Sequence, residues 1–93
     1  MTVGTLRIQL FIPGCRSLKQ KRAVLRRLTA RIRNEFNVSV SEVDKQDLHQ
    51  SAEIGVAIVT SDRAFANAVL SKIVNKIERE TACYLQDYSL EIE

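Results

Sequence analysis

Between residues 3 and 12 apolar and other side chains alternate. Leu6, Ile8, Leu10 and Ile12 fall on one side of an extended chain, and Thr5, Arg7, Gln9 and Phe11 on the other. A period of two predicts a strand with one face in the core. Pro13-Gly14 ends it, because proline donates no ladder hydrogen bond and glycine turns freely. The period then changes. Leu18, Leu25, Leu28, Ile32 and Phe36 share one side of a helical projection, with Val24 at its margin. That spacing predicts a helix over 17–36, with the Ser17 hydroxyl as its N-cap.

Alternation returns over 37–43, with Val38 and Val40 inward and Ser39 and Ser41 outward. Residues 44–50 are polar and lack Gly and Pro, so they form a loop or the tip of an extended hairpin. A third strand follows over 52–60, with Ile54, Val56 and Ile58 toward the core. Ser61 or Asp62 caps a second helix that runs to about residue 80. Its stripe is Ala66, Val69, Leu70, Ile73 and Ile77. A last strand occupies 83–92, where Tyr88, Leu90 and Ile92 share a face. The order βαββαβ predicts a single α+β domain over 1–93, a ferredoxin-like sandwich. The crossover rule puts both helices on one face of a four-stranded antiparallel sheet, in the order 4-1-3-2.

Charge adds what periodicity does not. The chain has 93 residues and a net charge of +3. Residues 1–33 hold nine basic side chains and no acid; residues 34–93 hold five basic and eleven acidic. Most of the excess lies on the first helix: Arg16, Lys19, Lys21, Arg22, Arg26, Arg27, Arg31 and Arg33. Like charges stand three and four residues apart there, which weakens an isolated helix. A polyanion partner accounts for such a row. Lys19, Arg22, Arg26 and Arg33 lie within about 60° of arc, with Gln20, Arg27 and Arg31 as a second row. Guanidinium groups at one-turn spacing can follow a phosphate backbone. Such contacts position a nucleic acid without reading its sequence, so structured RNA is the natural target. Arg16, Lys19 and Lys21 beside the free amides of the helix start suggest an anion site, with Lys21 snorkelling outward from the core edge.

The sheet's open face carries Thr5, Arg7, Gln9 and Phe11 beside Glu53, Gly55, Ala57 and Val59. Base stacking in the manner of an RNA-recognition motif needs aromatic side chains on both central strands, and the third strand has none. Phe11, Gly55, Ala57 and Val59, with His49 on the 44–50 loop, instead suit a protein partner, a second copy of the chain included.

Catalytic signatures are missing. Three glycines cannot build a dinucleotide fingerprint, and GCRSLKQK lacks the second glycine of a P-loop. Asp44, Asp47 and His49 read as polar loop residues rather than metal ligands, and nothing in the sequence places His49 near Cys15. The expectation is a protein that is not an enzyme and takes no cofactor or metal. Cys15 and Cys83 are expected reduced; a disulfide between them, or a reactive Cys15 beside Arg16, are the alternatives. No segment reads as a signal peptide or a membrane span, so a cytoplasmic location is expected.

Four segments carry a resemblance: SLKQKR (17–22), FNVSVSEVD (36–44), QDLHQ (46–50) and TSD (60–62). Together they resemble the YlxP-like family of small bacterial proteins, long catalogued as a domain of unknown function. The resemblance spans nearly the whole chain. It implies a ferredoxin-like fold, no established enzyme activity and no cofactor. Family genes often lie near those for translation initiation and ribosome maturation factors, which implies a role on the ribosome or in ribosomal RNA maturation. The family usually has a large aromatic where this chain has His49. The resulting expectation is a ribosome- or RNA-associated binding protein. Its partner is ribosomal or other structured RNA, with a ribosomal protein contact left open. The other expectation is a homodimeric interaction or small-ligand module using the open sheet face.

Overall fold

A computed structural model describes Met1–Glu93. Its elements are β1 (Thr2–Phe11), α1 (Leu18–Glu35), β2 (Ser39–Asp44), β3 (Ser51–Thr60), α2 (Arg63–Glu78) and β4 (Tyr84–Ile92). The sheet order is β2-β3-β1-β4 with every pairing antiparallel. This is the ferredoxin-like α+β sandwich that the alternating periods predict. No helix is long and apolar enough to cross a membrane.

Leu6, Ile8, Leu10 and Ile12 are at most 1% exposed, as are Ala52 and Ile54 opposite them. They meet Leu25, Leu28 and Ile32 of α1 and Ala66, Leu70, Ile73 and Ile77 of α2 in one core. Burying each large aliphatic side chain contributes roughly 1.5–3 kcal/mol. Ser17 caps α1, its Oγ accepting from Gln20 N at 3.1 Å. Asp62 caps α2, with Oδ1 accepting from Ala64 N and Phe65 N.

β2 begins two residues later than the alternation suggests. The chain turns sharply after α1, with Val38 N donating to Phe36 O at 3.0 Å, so Asn37 and Val38 lie outside the ladder. β2 also carries a bulge between Glu42 and Asp44. The polar segment after it is the loop of the β2–β3 hairpin. Lys45 there has φ 62, an uncommon left-handed conformation for a residue other than glycine. A turn closed by Leu48 N to Lys45 O at 3.1 Å holds it.

Candidate nucleic-acid interface

The apolar stripe of α1 faces the sheet, so the opposite side of the helix is turned to solvent. Arg16, Lys19, Arg22, Arg26, Arg27, Arg31 and Arg33 are all exposed. They are not equivalent. Arg31 Nη1 reaches both carboxylate oxygens of Glu80, at 2.8 and 2.7 Å, which ties α1 to the end of α2. Arg33 Nη2 donates to Val40 O of the edge strand β2 at 2.6 Å. Arg16, Lys19, Arg22, Arg26 and Arg27 have no side-chain hydrogen bond or ion pair within the molecule; the four ion pairs use Arg7, Lys21, Arg31 and Lys76. Arg22, Arg26 and Arg33 line a groove of about 220 Å³ between α1 and β2, with Thr29 and Ser41 also lining it.

Lys21 departs from the expectation. It is 0% exposed and does not snorkel outward. Its Nζ donates to Lys45 O (2.8 Å), Ser51 O (3.1 Å) and Gln46 O (3.4 Å), and lies 2.9 Å from Glu42 Oε2. Carbonyls of the β2–β3 loop and one carboxylate thus replace the water an ammonium normally needs. The position lies within the apolar stripe; what sequence could not show is that a loop more than 20 residues away closes over it. The anion site expected at the helix start is reduced accordingly. Lys21 is committed, Ser17 takes Gln20 N, and Gln20 Oε1 accepts from Arg16 N at 2.6 Å.

The sheet's open face also differs in detail. Glu53 is 5% exposed, its Oε2 3.2 Å from Arg7 Nη1. Gly55 is not bare. The bulge lays Val43 across it, and a Cβ on Gly55 would stand 2.9 Å from Val43 Cγ1. The remaining groove, about 450 Å³, runs past Thr5, Arg7, Ala57, Ser89 and Glu91. Val59 is 67% exposed at one end of this face, opposite Val3; at the other end Phe11 is half-buried and pairs with Tyr84.

Cys15 and Cys83 are both free and buried, so no disulfide joins them. At 3% exposure the Cys15 sulfur is withheld from solution reagents, against the alternative of a reactive Cys15. Burial, and less strongly the Glu80 carboxylate, push the Cys83 thiol up from its ordinary value. His49 does come to the same groove as Cys15, with Arg16, Asp47, Leu48 and Gln50. No local spacing in the sequence signals that meeting, because the two ends come from different strand termini.

A four-stranded antiparallel sheet with two helices on one face, one of them strongly cationic outside, defines a small basic ferredoxin-like α+β protein. The chain belongs to the family described as "Protein of unknown function (DUF503)", whose pattern matches residues 3–90. It is similar to "Uncharacterized protein YlxP" of Bacillus subtilis (strain 168), with 38% identity over 76 residues, 82% of this chain and 83% of that one. These matches bear out the resemblance to YlxP-like proteins. Among solved structures it is similar to the de novo designed protein Foldit4, with TM-score 0.56, 10% identity and 100% and 97% of the two chains covered. An antibiotic biosynthesis monooxygenase gives TM-score 0.52 at 17% identity, covering 100% and 96%. At such identities the likeness is one of fold alone.

Proposed function

We infer that this protein binds structured RNA through the outer face of α1, with Arg16, Lys19, Arg22, Arg26 and Arg27 against the phosphate backbone. One observation carries the reading. Four exposed cations of α1, with Arg16 just before its cap, make no side-chain hydrogen bond or ion pair within the molecule; on the α2 side only Lys72 and the C-cap Arg79 stand so, while Arg31 and Lys76 are paired with Glu80 and Glu35. The core-facing stripe holds α1 rigidly, so binding orders the cationic side chains but no backbone. Arg33 has a smaller part, because its guanidinium already serves Val40 O. Ribosomal RNA is the first target to try, on the strength of the sequence resemblance. The test is binding of a labelled ribosomal RNA hairpin by fluorescence anisotropy. Replacing Lys19, Arg22 and Arg26 together by Glu removes binding and leaves the circular dichroism spectrum intact; undiminished binding by that variant overturns the reading.

A second reading rests on a separate surface. The open sheet face exposes Val59 and Tyr84 and carries opposite charges, Arg7 and Glu91. A second copy related by a two-fold axis matches such a patch to itself. Sedimentation measures it: Ala57→Arg dissociates a dimer, and a chain monomeric at every concentration ends this reading. Both surfaces can operate in one molecule, since they lie on opposite sides of the sheet.

A further inference from the structure

The groove beside the start of α1 has a composition that phosphate binding leaves unexplained. It has a volume of about 510 Å³, within the range of small-ligand sites, and is lined by Arg16, Asp47, Leu48, His49 and Gln50 next to the buried Cys15. Its loop is pinned from below. Lys21 holds the carbonyls of Lys45, Gln46 and Ser51. Gln50 Nε2 donates to Pro13 O at 3.1 Å and Cys15 O at 3.3 Å, and Ile12 N donates to Gln50 O at 2.8 Å. A fully buried lysine is a costly way to fix a surface loop, and fixed loops are where recognition is built.

What the pinned loop presents is unspent. The side chains of Asp47 and His49 are exposed and take part in none of the four ion pairs, and Leu48 is 50% exposed. Arg16 stands at the groove's edge and continues the cationic row of α1. A carboxylate repels a ligand that is only an anion. It accepts instead from a donor edge, while an imidazole and an apolar side chain supply a flat surface for a planar ring. A nucleotide offers all three features: phosphate for Arg16, a ring for His49 and Leu48, and donors for Asp47. Guanine fits best, because its N1–H and exocyclic N2 amino group are adjacent and match the two oxygens of one carboxylate. Adenine and cytosine offer one amino group, and uracil one imino N–H. In a duplex those donors are already paired, so the base must be unpaired.

We propose that the Asp47–Leu48–His49 groove binds an unpaired guanine that projects from an RNA stem held on α1. This rests on the RNA reading above and adds to it the feature that is selected. The experiment titrates the full chain into three labelled hairpins with one stem sequence: fully paired, with one bulged guanosine, and with one bulged adenosine. The bulged-guanosine hairpin binds at least about tenfold tighter than the paired one, the scale of one stacked base. Asp47→Ala removes the preference for guanosine over adenosine. His49→Ala loses most of the gain over the paired stem and His49→Phe keeps it, as stacking requires and charge does not. Equal binding of all three hairpins overturns the proposal while leaving phosphate binding standing. A preference unchanged by Asp47→Ala also overturns it. Binding of none of them overturns both.

Discussion

The two helices of this protein do the same structural task with different outer faces. Each is capped by a side chain, Ser17 or Asp62, and each lays a stripe on the same side of the sheet. α2 buries only apolar residues: Ala66, Val69, Leu70, Ile73, Val74 and Ile77. Its exposed side mixes Arg63, Lys72, Glu78 and Arg79 with Asn67 and Asn75. α1 buries Lys21 and Thr29 among its aliphatics, and its exposed side has no acid before Glu35. α2 crosses the sheet with two exposed cations, Arg63 and Lys72, and an acid, Glu78, with Arg79 at its C-cap, so the crossover does not need the longer, acid-free row of α1. The charge of α1 is surplus to folding, and the like-charge spacing even opposes helix formation slightly.

The largest expected effect comes from breaking the difference outright. Lys19, Arg22 and Arg26 changed together to Glu lower affinity for an RNA hairpin by about 100-fold or more, since each lost phosphate contact adds to the salt-dependent term. Lys72→Glu with Arg79→Glu on α2 changes it by less than about threefold in the same anisotropy titration. Next comes the buried cation that sets α1 apart inside. Lys21→Ala leaves Glu42 and three loop carbonyls without their partner, and costs about 2–4 kcal/mol in urea unfolding, with Glu42's partial exposure keeping it below the full buried-pair figure. Arg26→Ala, a few residues on, costs less than about 0.5 kcal/mol. The tie between the helices is weaker. Arg31→Ala releases Glu80 at a surface where the arginine is 53% exposed, for about 0.5 kcal/mol by the same measurement.

The smallest effect is one of pH. Cys83 has its thiol pushed up by burial first and by Glu80 second. The folded protein therefore favours the protonated thiol. Its contribution is fully present below the thiol's unfolded value and is lost as pH rises through the higher folded value. Unfolding free energy followed from pH 7 into the alkaline range falls more for the native chain than for Cys83→Ala.

The fold was readable because its signals are local. Period two over β1 and β3, period 3.6 over both helices and the caps at Ser17 and Asp62 need no distant partner. β2 starts later than the alternation predicts because the Phe36–Val38 turn closes through a backbone hydrogen bond that leaves no mark in side-chain pattern. The site was readable only in part. The basic row of α1 follows from spacing, but which cations are free does not: Glu80 is 49 residues from Arg31. Lys21 taught the same lesson more sharply. Its place within the apolar stripe was visible, while the carbonyls that make burial tolerable belong to a loop contributed by another hairpin. The groove of Asp47, His49 and Arg16 depends on that closure and was invisible for the same reason.

The central claim is that the unpartnered cations of α1 hold RNA phosphates, and salt dependence tests it most directly. The logarithm of the binding constant for a ribosomal RNA hairpin, plotted against the logarithm of salt concentration, should fall with a slope on the order of −3 to −4 for four or five phosphate contacts. The Lys19, Arg22, Arg26 triple Glu variant, measured at low salt where residual binding is detectable, should show a slope shallower by about 2 to 3. A native slope near zero, or the same slope in the variant, would contradict the account.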